Sequence, residues 1–235
     1  IPVFAEMGSV NPVVILPKAL KSKAREWAQT YAGSITLGTG QFCTKPGLLF
    51  AIKGQDLDNF TDELGTKILD IESSIMLHPN IHKAFNENKQ KQLMHQATNE
   101  VASYQKDVSP NFAKQAVLQV SGEHFIANQE LQEEVFGPFS MVVACNDIAE
   151  LEAALLKVRG QLTGTVIAEN SELVNYEKLV QIMQTKVGRL IFNGVPTGVE
   201  VCAAMQHGGP YPASTDSRFS AVGIHAIDRW VRPIS

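Results

Sequence analysis

The sequence lacks the features that would tie the protein to a membrane or to a nucleic acid. Its 235 residues contain no apolar run near the roughly 20 residues that a membrane-spanning helix requires. Lysine and arginine together number 20 against 24 acidic residues, and the basic residues are scattered. A nucleic-acid partner would require a basic stripe interleaved with aromatic side chains. We therefore expect neither a membrane nor a nucleic acid as a partner.

Cysteine is also scarce. The chain has three, at Cys43, Cys145 and Cys202. An odd number at wide spacing suits neither a disulfide framework nor a metal site built from Cys-x-x-Cys pairs. His78 and His82 are four residues apart, but Pro79 lies between them and no third ligand is suggested. We therefore expect no metal, and a reducing compartment, the cytoplasm.

Internal repeats, low-complexity segments and long linkers are absent too, which favours a single domain over residues 1–235. Within it, short apolar runs alternate with longer amphipathic stretches. The predicted strands are 13–16, 48–52, 116–120, 141–145, 164–168 and 189–192. The predicted helices are 17–34, 56–73, 80–97, 147–158 and 172–185. This alternation predicts a three-layer α/β fold, with a largely parallel sheet and helices on its faces.

A long stretch rich in Gly, Pro, Ser and Thr, residues 194–223, breaks the alternation. Long ordered loops in compact domains are often functional, so we expect this one to line a pocket. His207 in this loop either contacts a substrate or bonds to local backbone. Arg218, the only arginine of the loop, either pairs with a carboxylate of the substrate or forms a surface or structural ion pair.

Cys43 lies in a stretch that cannot be regular structure, GQFCTKPG. Glycines precede it, and Pro46-Gly47 prevents a helix from starting at once, so the thiol lies on a turn. A turn can present sulfur to a cavity, where a thiolate or a nearby base would make it a nucleophile. Cys145, in the apolar run SMVVAC, is instead typical of a small buried hydrophobe.

The chain contains three motifs in order: FAEMGSVNPVVI, GQFCTKPG and EEVFGP. They resemble the base, nucleophile and cofactor-ribose motifs of the aldehyde dehydrogenase superfamily, at about that family's spacing. The resemblance implies that Cys43 is the nucleophile, which adds to an aldehyde carbon and passes through a thiohemiacetal and a thioester. It also implies that Glu6 is the general base that activates water for hydrolysis of the thioester.

The resemblance assigns further residues to the cofactor and to the substrate. Glu134 matches the carboxylate that hydrogen-bonds the nicotinamide ribose, and Phe136 matches the ring that packs beside it. Met7 and Gly8, which follow the base, are expected to contact the cofactor as well. The residues expected to line the substrate pocket are Phe42, Thr44, His207 and Arg218.

Three more stretches resemble one branch of this family in particular: FNGVPTGVEV, HGGPYPAST and AIDRWVRP. They resemble the NADP-preferring branch that includes α-ketoglutaric semialdehyde (2,5-dioxopentanoate) dehydrogenases and some fatty aldehyde dehydrogenases. This implies NADP as the cofactor, with NAD as an alternative, and 2,5-dioxopentanoate as the substrate. The alternative substrate is a long-chain aldehyde, which a broad apolar tunnel without a cationic residue would favour.

The resemblance covers the whole chain but only the second half of such a dehydrogenase. The chain has no initiating Met and no Gly-x-Gly-x-x-Gly after a strand. In the family, the phosphate-binding turn and the Asn that helps to bind the oxyanion lie upstream. We therefore expect a catalytic domain from a longer, homo-oligomeric protein. The alternative is that the isolated domain is inactive and exposes a large apolar patch.

Overall fold

The computed structural model describes residues 2–235. Its strands are β1 (Val13–Ile15), β2 (Leu48–Ile52), β3 (Ser74–Ile75), β4 (Thr98–Ser103), β5 (Phe112–Ala113), β6 (Ala116–Ser121), β7 (Phe139–Cys145), β8 (Gln161–Ile167) and β9 (Val187–Phe192). Its helices are α1 (Pro17–Thr36), α2 (Gln55–Asp70), α3 (Pro79–Leu93), α4 (Gly122–Ala127), α5 (Ile148–Lys157) and α6 (Glu177–Lys186).

A seven-stranded sheet lies at the centre, in the order β4-β6-β7-β2-β1-β8-β9. Strand β4 pairs with β6 in the antiparallel sense, and the other neighbours are parallel. Strands β3 and β5 form a separate antiparallel pair. The expected α/β fold with a largely parallel sheet is therefore confirmed.

The sheet is buried on both faces. Successive side chains of a strand point to opposite sides, and each side packs against a different set of helices. In β1, Val14 packs into a cluster with residues of α4, α5 and α6. Its neighbours Val13 and Ile15 pack on the other face, with residues of α1 and α2. The result is three layers, as a parallel sheet requires when helices cover both of its faces.

All six predicted strands and all five predicted helices are present; β2 has the predicted bounds, and the other elements have shifted ends. Helix α3 ends four residues earlier than the predicted end at 97, and residues 173–176 form a 3-10 turn ahead of α6. Three strands and one helix were missed. Strand β4 is polar (TNEVAS) and lies at the sheet edge, whereas β3, β5 and α4 are too short for a periodic pattern.

The loop over residues 194–223 has no helix or strand, only turns and bends and one isolated bridge between Glu6 and Ser214. This bridge joins the loop to the segment that precedes β1. None of the helices within residues 2–235 is both long enough and apolar enough to cross a bilayer.

Candidate active site

The turn that carries Cys43 follows α1 and ends where β2 begins. Gly38, Thr39 and Gly40 all have left-handed φ angles, between 55° and 64°, which turns the chain sharply out of the helix. A Cβ on Gly40 would lie 2.2 Å from the backbone carbon of Gly137, so the two turns pack backbone to backbone. Cys43 is exposed at the tip, as the sequence predicts.

His207 lies between Cys43 and Glu6. Its Nε2 atom is 3.3 Å from the Cys43 sulfur and 3.3 Å from Glu6 Oε2, while the ring is only 3% exposed. The hydrogen bond to Cys43, followed by the one to Glu6, raises the pKa of His207 to about 9. The hydrogen bond from His207 in turn lowers the pKa of Glu6. At neutral pH an imidazolium therefore lies between the sulfur of Cys43 and the carboxylate of Glu6.

The contacts of the His207 ring were not part of either expectation for this residue, and a contact with the substrate stays a prediction. The ring binds two side chains that are far away in sequence, and no spacing in the sequence could have shown this. Only the backbone of His207 bonds locally: its N–H donates to Ser220 Oγ at 3.0 Å and its carbonyl accepts from Ala221 N at 2.7 Å.

The long loop also positions Glu6. The N–H of Met7 donates to the carbonyl of Ala213 at 3.0 Å, and the N–H of Thr215 donates to the carbonyl of Ala5 at 3.0 Å. Glu6 thus lies on a short extended segment that pairs with the same loop that carries His207. The loop therefore brings Glu6 and His207 together.

Arg189, in β9, has a role that sequence reasoning missed. Its guanidinium donates to the carbonyls of Pro196 and Gly198, at 2.9 Å and 3.0 Å. These bonds fix the first part of the loop against β9. A lone arginine inside a predicted strand gives no sign of such a role.

Asn11 supports the Cys43 turn from behind. It is fully buried, and its backbone has a left-handed φ of 45°. Its Nδ2 atom donates to the carbonyls of Cys43 and Lys45, both at 2.9 Å. Its Oδ1 atom accepts from Thr163 Oγ1 at 2.9 Å. One amide therefore links the Cys43 turn to β8 and to the segment that follows Glu6.

Lys45 supports the same turn from a second side. Its ammonium is buried and donates to the carbonyls of Val135 and Phe139, at 3.1 Å and 2.9 Å. Burial lowers the pKa of Lys45 to about 8, so the charged form still predominates at pH 7. The two carbonyls flank the turn of the EEVFGP motif, so Lys45 joins the nucleophile motif to the proposed ribose motif.

Glu134, Met7 and Gly8 line one cavity of about 240 Å³. Burial raises the pKa of Glu134, and the nearby Lys45 ammonium partly offsets this rise. A Cβ on Gly8 would lie 3.0 Å from Glu134 Oε2, so the carboxylate lies close to bare backbone at the cavity wall. A half-buried carboxylate beside an open cavity fits the hydroxyls of a ribose. Phe136 lines a different cavity, beside α3.

The remaining pocket candidates do not all reach the site. Phe42 is 41% exposed beside Cys43, where it can meet a substrate. Thr44 is buried, so its side chain does not face the solvent next to the thiol. Arg218 is exposed and forms an ion pair with Asp216, with Nη2 to Oδ2 at 2.6 Å. The structure therefore supports the surface ion pair for Arg218 and not a contact in the pocket.

The two histidines four residues apart have separate partners. His78 Nδ1 accepts from the backbone N–H of Asn80 at 3.1 Å and caps α3. His82 Nε2 lies 3.1 Å from the carbonyl oxygen of Phe112. Both serve the local structure around α3.

Comparison with known proteins identifies the family. Residues 1–231 match the sequence profile of the aldehyde dehydrogenase family. The chain belongs to the aldehyde dehydrogenase family. It is 42% identical over its whole length to alpha-ketoglutaric semialdehyde dehydrogenase from Acinetobacter baylyi, and 38% identical to alpha-ketoglutaric semialdehyde dehydrogenase 2 from Azospirillum brasilense. It spans 45% of the length of each.

The fold is also that of aldehyde dehydrogenases of known structure. A betaine aldehyde dehydrogenase double mutant from Staphylococcus aureus, in complex with NAD+, matches with a TM-score of 0.76 at 15% identity. The match covers 96% of this chain and 45% of the other. In this member of the family, the contacts of Cys43 with His207 and of His207 with Glu6 are the features from which a function can be argued.

Proposed function

We propose that this chain is the nucleophile-bearing part of a dehydrogenase that oxidises the aldehyde group of 2,5-dioxopentanoate to a carboxylate. The observation that carries the proposal is the contact of Cys43, His207 and Glu6 through one imidazole nitrogen. The names of the two curated relatives support the choice of substrate. Since the chain spans less than half of their length, we assign the complete reaction to the longer protein.

The first step is addition of Cys43 to the aldehyde. With the proton on His207, the thiolate sulfur forms a bond to the aldehyde carbon, and the C=O π electrons move to oxygen. His207 Nε2, 3.3 Å from the sulfur, can donate a proton to this oxygen, which gives a thiohemiacetal. The exposed position of Cys43 leaves room for the substrate in front of the sulfur.

The oxidation removes a hydride from the thiohemiacetal carbon and a proton from its hydroxyl group as the thioester C=O bond forms. His207, neutral after the first step, can take back the proton, and a bound nicotinamide dinucleotide would supply the hydride acceptor. Glu134, Met7 and Gly8 line the cavity that would hold its ribose. We propose NADP, on the strength of the branch that the motifs resemble, with NAD as the alternative. The phosphates would be bound outside these residues, since this chain has no glycine-rich phosphate motif after a strand.

The last step is hydrolysis of the thioester on Cys43. The side chain of Glu6 is 28% exposed, so water can reach its carboxylate. Its lowered pKa keeps it ionised at neutral pH. Glu6 takes a proton from water, the water oxygen bonds to the thioester carbon, and the C–S bond breaks to restore the Cys43 thiolate.

We place the protein in a reducing compartment, the cytoplasm, because none of the three cysteines forms a disulfide within the described residues.

Hydrolysis of p-nitrophenyl acetate by this chain tests the site directly, because the reaction needs nucleophile and base but no hydride acceptor. We expect turnover that falls to the uncatalysed background in Cys43→Ala. Cys202→Ala is the matched control, since it removes another thiol that is not fully buried, and it should retain the wild-type rate. Equal turnover by wild type and Cys43→Ala would contradict the proposed role of Cys43.

The substrate is tested with the full-length protein. We expect a higher kcat/KM for 2,5-dioxopentanoate than for dodecanal, and a higher kcat/KM for NADP than for NAD. A higher kcat/KM for dodecanal than for 2,5-dioxopentanoate would favour the alternative substrate, a long-chain aldehyde.

A further inference from the structure

The same three side chains have the composition of a transition-metal site. Glu6, Cys43 and His207 each offer one ligand atom, and these atoms all lie within 4.8 Å of one another. Among residues 2–235 this is the only set of three or more His, Cys, Asp or Glu side chains that is arranged in this way. The catalytic proposal uses Cys43 as a nucleophile and His207 and Glu6 for proton transfer, and it does not account for their joint fit to a cation.

We propose that this cluster is a reversible Zn²⁺ site, with Zn²⁺ acting as an inhibitor and not as a cofactor. Thiolate, imidazole nitrogen and carboxylate oxygen are the three ligand types of protein zinc sites. Three protein ligands leave the fourth tetrahedral position to water, as in open zinc sites. The proposal goes beyond the dehydrogenase activity, because binding needs only the three side chains.

The separations between the ligand atoms match the edges of a zinc tetrahedron. Ordinary Zn–N, Zn–O and Zn–S bond lengths give edges of about 3.4 Å for nitrogen to oxygen and about 3.6 Å for nitrogen to sulfur. The structure has 3.3 Å from His207 Nε2 to Glu6 Oε2 and 3.3 Å from His207 Nε2 to Cys43 Sγ. Sulfur and carboxylate oxygen need an edge of about 3.6 Å, and they lie no more than 4.8 Å apart, so they would approach by about 1.2 Å at most.

The cluster is both accessible and partly preorganised. Cys43 is exposed and Glu6 is partly exposed, so a hydrated cation can reach both and their side chains can adjust. His207 is buried, and hydrogen bonds to its backbone N–H and carbonyl fix the position of its backbone. Mg²⁺ and Ca²⁺ prefer all-oxygen ligands, so a site with sulfur and nitrogen should discriminate against them.

Binding is measured on this chain by competition for Zn²⁺ with a chromophoric chelator. We expect one Zn²⁺ per chain, with affinity about 100-fold lower in Cys43→Ala and in His207→Ala and at least about 10-fold lower in Glu6→Gln. Cys202→Ala, the matched control, should bind like wild type. With Co²⁺ in place of Zn²⁺, wild type should show a thiolate-to-metal charge-transfer band in the near ultraviolet, absent from Cys43→Ala. Circular dichroism checks that each variant is folded.

The inference is overturned if wild type binds no Zn²⁺ at equimolar concentration, or if Cys43→Ala binds as tightly as wild type. An ester hydrolysis assay distinguishes failure of the Zn²⁺ proposal from failure of the dehydrogenase proposal. Cys43-dependent hydrolysis that Zn²⁺ does not inhibit removes the metal site and leaves the dehydrogenase proposal intact. Zn²⁺ binding by a chain that shows no ester hydrolysis supports the metal site and agrees with an isolated domain that is inactive. Cys43→Ala in the full-length protein then tests the catalytic proposal separately.

Discussion

The turn at Cys43 has two sides with opposite physical character. On the front, Cys43 and Glu6 are open to solvent and share the single nitrogen of His207. On the back, Asn11 and Lys45 are buried, and their side-chain donors bond to backbone carbonyls. The difference shows how a thiol can remain free to react: the backbone beneath it is fixed by groups that have no part in the reaction.

The thiol of Cys145 extends the comparison, because the same residue type in β7 has the opposite surroundings. It is fully buried, and burial raises the pKa of Cys145 to about 12. A thiol of this kind has almost no thiolate at neutral pH. We therefore expect different results from chemical labelling and mutation at the front of the turn (Cys43), at its back (Lys45) and in the core of the sheet (Cys145).

The largest expected effect is on thiol reactivity. At neutral pH, iodoacetamide should label Cys43 at least about 100-fold faster than Cys145, because the thiolate is the reactive form. A time course followed by peptide mass spectrometry gives the rates, and labelling in urea should remove the difference. Faster labelling of Cys145 or Cys202 than of Cys43 would show that Cys43 is not the most reactive thiol.

Removal of the buried ammonium should have the next largest effect, on stability. Lys45→Met leaves the carbonyls of Val135 and Phe139 without their donor, so we expect the free energy of unfolding to fall by about 2 to 3 kcal/mol. Urea denaturation measures this change. Lys83→Met, which removes an exposed lysine, is the control. A loss no larger than in this control would show that the back side does not anchor the turn.

The charge of His207 should make stability depend on pH. Its pKa is raised in the folded chain, so its stabilising charge is fully present below the ordinary histidine pKa of about 6.5 and is lost as the pH rises through about 9. Relative to His207→Gln, wild type should lose on the order of 1 kcal/mol between pH 6 and pH 10, since water at Glu6 screens the pair.

Urea denaturation of both proteins at the two pH values measures this loss, and His124→Gln, at an exposed position, is the control. A difference between wild type and His207→Gln that does not change with pH would show that His207 is not charged at the front side.

The smallest effect is expected at Arg218. Its side chain is exposed and paired with Asp216, so Arg218→Ala should change neither ester hydrolysis nor thermal stability measurably. In the full-length protein, the KM for 2,5-dioxopentanoate should also stay the same. A tenfold rise in this KM would restore Arg218 as a ligand of the substrate carboxylate.

Much of the fold was predictable because it depends on local patterns. Strands β2 and β7 are apolar runs of the kind that a sheet buried on both faces requires. Asp147 was predictable as the cap of α5, and its carboxylate accepts from the N–H of Glu150. Strand β4 was not predictable, because its half-exposed polar residues gain their extended form from pairing with β6.

The candidate site was predictable only in part. The motifs identified Cys43 and Glu6, and in the structure both side chains contact His207. Their catalytic roles remain predictions. His207 lies 164 residues from Cys43, and Lys45 is buried beside carbonyls 90 and 94 residues away. Side chains at such distances along the chain leave no periodic or spacing signal in a single sequence.

The sequence by itself determined the turn at Cys43, the apolar strands and the reactive groups that are available, since these follow from backbone preferences and local burial. Only the tertiary structure decided that Glu6, Cys43 and His207 meet at one nitrogen and that Lys45 is buried behind them. The physical reason is that these contacts depend on the order of strands in the sheet and on a long loop that pairs with the segment carrying Glu6. Both are properties of the whole folded chain.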